Sequence, residues 1–328
     1  MKLLKFLILV TLIAAGGAVG YGWHWSQQPV FTEGKPVPFE IKAGSSVRAV
    51  SRQIEQAGVP VPALWFEMLV RVSGTGARLK AGAYELEAGK TPLQLMTKLV
   101  DGDFAYVSLP VIEGWTFAQM RKAVNAHPYI KHDTADWNED KLMKEISADY
   151  SRGEGLFYPD TYRFARGSSD LDIYKQAHQA LLKKLNDAWE SRFANLPYKN
   201  AYEGLIMASI IEKETGKRSE RPLIAAVFVN RLRSGMLLRT DPTVIYGLGD
   251  KYNGKIYKKD LLTDTPYNTY TRGGLPPGPI ALPGLESLTA ALHPASSDVL
   301  YFVARGDGSS QFSTNLTDHN RAVNKYQR

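Results

Sequence analysis

The sequence predicts an α+β protein that begins with a membrane-spanning helix and continues into a small α/β module and a larger mixed α+β domain. Three observations support this class: an uncharged apolar stretch at the N-terminus, a repeated strand, turn and helix pattern, and amphipathic helices in the second half. The 328 residues are 44% hydrophobic and 22% charged, which is enough apolar material for folded cores. At about 100–200 residues per domain, we expect two or three folded units.

Residues 1–26 are predicted to form a transmembrane anchor. Residues 6–25 contain no Lys, Arg, Asp or Glu, and a helix of that length covers about 30 Å of hydrocarbon at about 1.5 Å per residue. Lys2 and Lys5 precede the stretch and the first acidic residue is Glu33. This asymmetry predicts a cytoplasmic N-terminus and an exported remainder. A cleaved signal peptide is the alternative, because small residues in the stretch resemble a cleavage site.

Residues 27–38 are predicted to be a short extended linker, because three prolines alternate there with polar residues. In residues 39–125 a loose pattern occurs three times: a strand, a glycine, a Ser or Thr, and an amphipathic helix. Gly44, Gly89 and Gly114 mark the turns, since glycine permits a sharp turn and the hydroxyl residue can cap the helix. The uneven spacing argues against a solenoid and predicts one compact α/β module.

Residues 126–153 are polar and acidic, which predicts a charged connecting segment that contains a helix. Residues 154–328 are predicted to form the mixed α+β domain. A strand over residues 299–303 is expected to pair with a strand around Phe312 through the turn at 306–308. Periodic apolar residues predict helices over residues 170–193, 202–215, 219–232, with Ser219 as its N-cap, and 285–292.

Composition excludes several reaction classes. The chain has no cysteine, so disulfides, thiolate nucleophiles and Cys-ligated zinc are excluded. The six histidines lack zinc-binding spacing, and neither a Walker A motif nor a G-x-S-x-G elbow occurs. We therefore expect no metal and no cofactor. The formal charge of +7 suits an anionic partner such as a membrane surface, a cell-wall polymer or nucleic acid, without selecting one.

The helix predicted over residues 202–215 carries two acidic residues near its end. Glu214 lies on its apolar stripe, and Glu212 points about 200° away, so the two cannot form one catalytic pair. Burial and the helix dipole should raise the pKa of Glu214, as a general acid requires. The alternatives are an ion pair of Glu214 with Lys217, Arg218 or Arg221, and a solvated or supporting role for Glu212.

Polar and aromatic residues downstream of this helix form the expected substrate-binding group. Aromatic rings interleaved with Asn and Thr suit sugars, which present apolar faces edged with hydroxyl groups, although they also suit protein surfaces. Asp241 is the best second acid, and an N-cap or loop-bracing role is its alternative. The expected substrate-binding residues are Glu212, Thr240, Asp241, Tyr246, Asn268 and Tyr270.

Five strings, in this order, resemble the YceG-like family of endolytic murein transglycosylases, also called MltG. They are EGLFYPDTY from Glu154, ASIIEKE from Ala208, TDPTVIY from Thr240, YNTY from Tyr267 and GLPPGPI from Gly274. The resemblance covers nearly the whole chain. Glu214-Thr215 is also similar to the Glu-Ser pair that ends the catalytic helix of soluble lytic transglycosylases and goose-type lysozymes, which favours Glu214 as the acid. In one departure, Leu282 stands where the family commonly has Asn, so we expect no hydrogen-bonding role there.

The resemblance implies a single-pass inner-membrane protein with a periplasmic catalytic domain and a lysozyme-like catalytic helix. It would cut MurNAc-GlcNAc bonds within nascent peptidoglycan strands, leave 1,6-anhydroMurNAc ends and so terminate strand elongation. Residues 39–125 look like LysM, a module that binds GlcNAc-containing glycans, and a structural spacer is the alternative. Expected partners are glycan strands, the inner membrane and peptidoglycan synthases (penicillin-binding proteins), but not nucleic acid. The rival functions are a non-enzymatic glycan-binding scaffold and a hydrolytic muramidase.

Overall fold

The computed structural model describes residues 2–147 and 149–327. Met1, Ala148 and Arg328, which belong to the predicted segments 1–26, 126–153 and 154–328, lie outside the described residues. The helices are α1 Lys2–Ser26, α2 Val47–Gln56, α3 Ala63–Val72, α4 Pro92–Asp101, α5 Phe117–Ala126, α6 Glu139–Ile146, α7 Asp170–Glu190, α8 Ala201–Glu214, α9 Arg221–Arg233, α10 Asp241–Leu248, α11 Lys258–Leu262, α12 Leu285–Leu292 and α13 Leu316–Tyr326. The strands are β1 Val37–Ile41, β2 Gly82–Leu86, β3 Tyr106–Pro110, β4 Thr161–Ala165, β5 Tyr301–Ala304 and β6 Ser310–Ser313.

The strands form small sheets between many helices, which confirms the α+β class. Within the described residues β1 pairs with β2, β3 with β4, and β5 with β6. Helix α1 includes Leu4–Ser26, 23 residues that are long and apolar enough to cross a membrane. A signal sequence has the same length and composition.

The chain divides into two compact units. Unit 1 comprises Met1–Ser108, Tyr129–Lys131 and Arg163–Ser168, and unit 2 comprises Leu109–Pro128, His132–Tyr162 and Ser169–Arg328. This division differs from the predicted boundaries in two ways. Helix α1 belongs to unit 1 rather than standing apart from it, and α5, the helix of the third repeat copy, belongs to unit 2 although the predicted module 39–125 includes it.

Unit 1 is built on the first two copies of the repeat. Strands β1 and β2 are antiparallel, with Phe39 opposite Tyr84, and these two rings stack with centroids 5.5 Å apart. Gly44 and Gly89 adopt φ of 74° and 82°, a left-handed conformation that glycine favours. The predicted strand, turn and helix pattern is therefore confirmed for these copies. Side chains with no exposed surface form the core, including Ile54, Phe66, Tyr84, Leu86, Leu95 and Leu99.

Residues 27–38, predicted to be a short extended linker, run along unit 1. The Val30 N–H donates to the Lys90 carbonyl at 2.8 Å, and the Gly89 N–H donates to the Phe31 carbonyl at 2.8 Å. Val30 and Phe31 also pack against the core of unit 1. Burial of these apolar side chains stabilises the position of residues 27–38 against unit 1.

Unit 2 contains helix α8, which is buried along its middle and carries Glu212 and Glu214 at its end. Helix α8 packs against α7, α9, α10 and α12. The predicted helix over residues 285–292 and the hairpin of β5 with β6 are confirmed, with Tyr301 opposite Ser313. Ser219 is not an N-cap, because it lies in a 3₁₀ turn over Arg218–Glu220 and α9 begins at Arg221. Pro222 in the first turn favours that start, since the first turn leaves backbone N–H groups without intrahelical partners.

Candidate active site

Helix α8 presents Glu214 as its last residue. The Asn200 side chain caps the start of the helix by accepting from the Glu203 N–H at 3.0 Å. Its middle is buried on all sides, and the Ser209 hydroxyl accepts from the Ile280 N–H at 3.0 Å. The helix ends because Thr215 is extended, with φ of −145°. Gly216 follows the end of the helix, and its φ is not positive.

The carboxyl of Glu214 is held in an environment that favours its neutral form. Burial raises its pKa to about 7, and the charge of Asp241 acts in the same direction. A hydrogen bond from the Thr240 hydroxyl opposes the rise. A carboxyl with this pKa can hold a proton near neutral pH and still release it, which is the property of a general acid–base residue.

A network of threonines fixes Thr240. Its N–H donates to Thr269 Oγ1 at 3.0 Å, and its carbonyl accepts from Thr243 Oγ1 at 2.8 Å. The hydroxyl groups of Thr243 and Thr269 are 2.9 Å apart and all three residues are buried. Arg239, immediately before, has φ of +48°, a left-handed conformation that costs a non-glycine residue roughly 1–3 kcal/mol. The network therefore holds Thr240 in one position although the left-handed backbone of Arg239 costs free energy.

Asp241 and Tyr270 lie beside this network. The Tyr270 hydroxyl donates to Asp241 Oδ1 at 2.5 Å, and Asp241 is exposed at the first position of α10. Thr240, rather than Asp241, occupies the N-cap position, so the predicted N-cap alternative for Asp241 is wrong. A carboxylate in the first turn of a helix is stabilised by the helix dipole. The structure thus brings Glu214, Thr240, Asp241 and Tyr270 together.

Glu212 is separate from Glu214 and has its own partners. It forms an ion pair with Arg221 at 3.0 Å, and both side chains are 5% exposed. Its other oxygen accepts from the Gly284 N–H at 3.0 Å. The solvated alternative for Glu212 is therefore wrong. The expected substrate contact at Glu212 also needs revision, because the buried pair occupies its carboxylate.

The alternative ion pairs of Glu214 are also wrong. Arg221 pairs with Glu212 and with Glu286, and Arg218 pairs with Glu286 at 3.1 Å. The third basic residue, Lys217, pairs with Glu220 at 3.3 Å. Within the described residues no ion pair to Glu214 offsets the burial of its carboxyl, and the charge of Arg231 lowers its pKa less than burial raises it.

The turn of the third repeat copy supports the end of α8. Gly114 has φ of 77°, and its carbonyl accepts from Lys213 Nζ at 3.0 Å. The Gly114 N–H donates to the carbonyl of Leu282 at 2.8 Å, so Leu282 contributes backbone hydrogen bonds although its side chain has no polar group. Glu113 packs against Gly284, and its pKa is raised by burial and then by the charge of Glu212.

Asn268 and Tyr246 occupy different environments from those expected. Asn268 is fully buried, and its amide donates to the carbonyls of Asp260, Leu261 and Thr263. This geometry makes Asn268 a loop brace rather than a surface for substrate. Tyr246 hydrogen-bonds Glu154, and its ring meets that of Tyr267 edge to face at 4.7 Å.

Glu154 is a second buried carboxyl that was not among the expected site residues. Burial raises its pKa to about 7, while hydrogen bonds from the Phe117 N–H, at 3.0 Å, and from Tyr246 oppose the rise. An acidic residue placed directly before the apolar run Gly155-Leu156-Phe157 was the signal in the sequence. Within the described residues no cluster of three or more His, Asp or Glu could hold a metal ion.

These residues form a candidate acid–base site around the carboxyl of Glu214, at the end of the core helix α8. The chain belongs to the YceG-like family, whose family model matches residues 39–325. It is 33% identical to an endolytic murein transglycosylase of Bacillus subtilis (strain 168), over 95% of this chain and 90% of the relative. It is 29% identical to a protein of the same name from Streptococcus pneumoniae (strain D39), over 98% of this chain but only 64% of that relative's length.

A solved structure supports the same relationship. A crystal structure of a yceG-like protein from Listeria monocytogenes has a TM-score of 0.56 against this chain at 34% identity. The match covers 87% of this chain and 98% of that chain.

Proposed function

We propose that this chain is an endolytic murein transglycosylase, a lyase that cleaves MurNAc-GlcNAc bonds within peptidoglycan strands. The observation that carries the proposal is the carboxyl of Glu214, whose pKa burial raises to about 7 and which has no ion-pair partner among the described residues. Membership of the YceG-like family and the names of the relatives support the substrate class.

In the proposed reaction Glu214 protonates the glycosidic oxygen as its bond to the anomeric carbon breaks. The resulting carboxylate then takes the proton from the C6 hydroxyl of the same MurNAc as that oxygen attacks the anomeric carbon. The attack is intramolecular, and effective molarities of about 10⁵ M or more remove the need for a protein nucleophile. One carboxyl is then sufficient, which agrees with the separate environments of Glu212 and Glu214.

The proposed substrate contacts come from residues that keep accessible surface, of which Asp241 and Tyr270 lie beside Thr240 and Glu214. Asp241 is exposed, and Tyr270 and Tyr246 are partly exposed. Tyrosine rings can stack on sugar faces while their hydroxyl groups bond to sugar hydroxyls. Thr240, Glu212 and Asn268 would instead act indirectly, by holding Glu214 or the surrounding loops.

We further propose that α1 anchors the protein in the inner membrane, with its N-terminus cytoplasmic and unit 2 periplasmic. The length of α1 and the lysines at its start support this orientation. Residues 39–125 are proposed to bind GlcNAc-containing glycan as a LysM-like module, and peptidoglycan synthases are proposed partners because the substrate is nascent strand.

Mass spectrometry of products from purified, uncrosslinked glycan strands tests the reaction. The proposed mechanism gives 1,6-anhydroMurNAc ends that are lighter by one water, ~18 Da, than hydrolysis products. Reducing MurNAc ends as the main product would instead identify a muramidase. Unchanged strands would favour a non-enzymatic scaffold, provided that the same preparation still binds peptidoglycan.

A further inference from the structure

Helix α3 is apolar on two opposite faces, and only one of them is buried by the protein. Phe66 and Val70 have no exposed surface and belong to the core of unit 1. On the other side Leu64 is 65% exposed, Met68 47% and Val72 90%. These three residues are spaced four apart and so form one row along the helix. An apolar face of a helix is normally buried against the protein, so this row lacks the environment that its composition suits.

The charged residues of α3 do not make the exposed row polar. Glu67 has a side chain that is 9% exposed, and it forms ion pairs with Arg71 at 2.8 Å and Arg48 at 3.3 Å. Both arginine side chains are more than 60% exposed. The apolar row of α3 is therefore accompanied by two exposed guanidinium groups, Arg71 of α3 and Arg48 of α2, which can reach anionic groups beyond Glu67.

Helix α3 lies against the end of the proposed anchor. The Trp65 ring contacts Trp25 and Tyr21 of α1, with centroids 5.6 and 5.5 Å apart. Trp25 itself packs on the core of unit 1. Tryptophan and tyrosine concentrate where a membrane-spanning helix leaves the hydrocarbon. The contact with Trp65 thus holds α3 at the level where α1 would meet the lipid headgroups.

The exposed row faces the same side as the contact with α1. At about 100° per residue, Leu64, Met68 and Val72 all lie within about 100° of Trp65 in one direction around the helix. Phe66 and Val70 lie about 100–140° away in the other direction, towards the core. The exposed row of α3 therefore lies beside α1 and extends the apolar surface of the proposed anchor.

We propose that α3 lies on the lipid bilayer, with Leu64, Met68 and Val72 inserted at the boundary of headgroups and acyl chains, and Arg48 and Arg71 directed at lipid phosphates. Amphipathic helices bind membranes by this combination of apolar insertion and attraction to anionic lipid. The inference rests on the proposed anchoring by α1. In this arrangement unit 1 is held against the membrane surface through α3 as well as connected to the membrane through α1.

Single-cysteine spin labelling of the full chain tests whether α3 lies on the bilayer. Because the chain contains no cysteine, Leu64→Cys, Met68→Cys and Val72→Cys each carry a label at one exposed site. The labelled proteins are reconstituted in vesicles of phosphatidylethanolamine and phosphatidylglycerol. Accessibility to dissolved oxygen, which concentrates in lipid, is compared with accessibility to a water-soluble nickel chelate. Leu9→Cys in α1 is the lipid control, and Leu262→Cys, at a site that is 70% exposed in unit 2, is the water control.

We expect oxygen to exceed the chelate in accessibility at positions 64, 68 and 72, as at position 9, and the reverse at position 262. Suppose that the chelate exceeds oxygen in accessibility at positions 64, 68 and 72, while oxygen exceeds the chelate at position 9. This result would refute the binding of α3 to the bilayer but not the anchoring by α1. Aqueous behaviour at position 9 as well would refute the anchor and the inference together. Dipolar coupling between labels on different chains would show that a second copy covers the row instead of lipid.

Discussion

The hydroxyl of Thr240 donates a hydrogen bond to Oε1 of Glu214, although 26 positions separate the two residues in the chain. This bond stabilises the ionised carboxylate and works against burial, which stabilises the neutral acid. The balance leaves the pKa of Glu214 at about 7. Glu214 can therefore exchange a proton in both directions near neutral pH, which the proposed mechanism requires twice in each cycle.

Replacement of the proposed acid should abolish most of the activity. Glu214→Gln keeps the size of the side chain but removes the transferable proton, so kcat should fall by about 10²–10⁴-fold or more. Asp241→Asn is the matched control, because it changes the neighbouring exposed carboxylate in the same way and should cost less. Release of anhydro products from purified strands measures both. An equally deep loss in Asp241→Asn would require a second catalytic carboxylate.

The pH dependence of kcat/KM should have an alkaline limb near pH 7. The free enzyme needs protonated Glu214 to start the reaction, and ionisation of that carboxyl removes activity by about tenfold for each pH unit above its pKa. Thr240→Val should move this limb to higher pH, because it deletes the hydrogen bond that lowers the pKa.

The control for Thr240→Val is Thr97→Val, which removes an exposed hydroxyl that donates to the Leu93 carbonyl in α4. Its limb should stay where it is in the unchanged protein. A limb in Thr240→Val that moves to lower pH, or that does not move, would contradict the role assigned to the Thr240 hydroxyl.

The stability of the protein should depend on pH through Glu214. Its pKa rises from an ordinary value of 4.5 to about 7 on folding, so the folded state binds the proton more tightly than the unfolded state. The stabilisation is complete below pH 4.5 and is lost as the pH rises towards and through 7. The free energy of unfolding of the unchanged protein, relative to Glu214→Gln, should therefore decrease between pH 4 and pH 8 in urea titrations. An increase over that interval would show that the folded protein favours the ionised form.

The buried ion pair of Glu212 with Arg221 should matter for stability rather than for proton transfer. Arg221→Met leaves the carboxylate of Glu212 buried without its charge partner and should cost about 3–5 kcal/mol in unfolding free energy. Arg218→Met breaks only the exposed pair with Glu286 and should cost less than about 1 kcal/mol. Urea unfolding of both variants checks the difference. Equal losses would mean that Glu212 does not depend on Arg221.

The sequence by itself determined features that are encoded within a few residues. Gly44, Gly89 and Gly114 take positive φ at the predicted turns, and Ser46, Thr91 and Thr116 cap the following helices as expected. The helix predicted over residues 202–215 ends within one residue of the observed end of α8 at Glu214. Turns, caps and helix periodicity depend on local sterics and hydrogen bonding, so a short window of sequence is enough to predict them.

Some local signals were weaker than the tertiary contacts that act on them. Helix α3 was not predicted, although it supplies Phe66 and Val70 to the core of unit 1. Its apolar residues lie on two faces, one buried and one exposed, so no single apolar stripe predicted it. The prolines of residues 27–38 predicted a short extended linker but did not indicate that Val30 and Phe31 pack against the core of unit 1.

Only the tertiary structure decided which residues meet at the site. Contacts between Glu214 and Thr240, Glu212 and Arg221, and Glu154 and Tyr246 join positions that no sequence period relates. The third repeat copy has the same local pattern as the other two, yet its turn supports α8 in unit 2. The physical reason is that side-chain burial and pKa depend on what packs around a residue, and distant segments of the chain provide that packing.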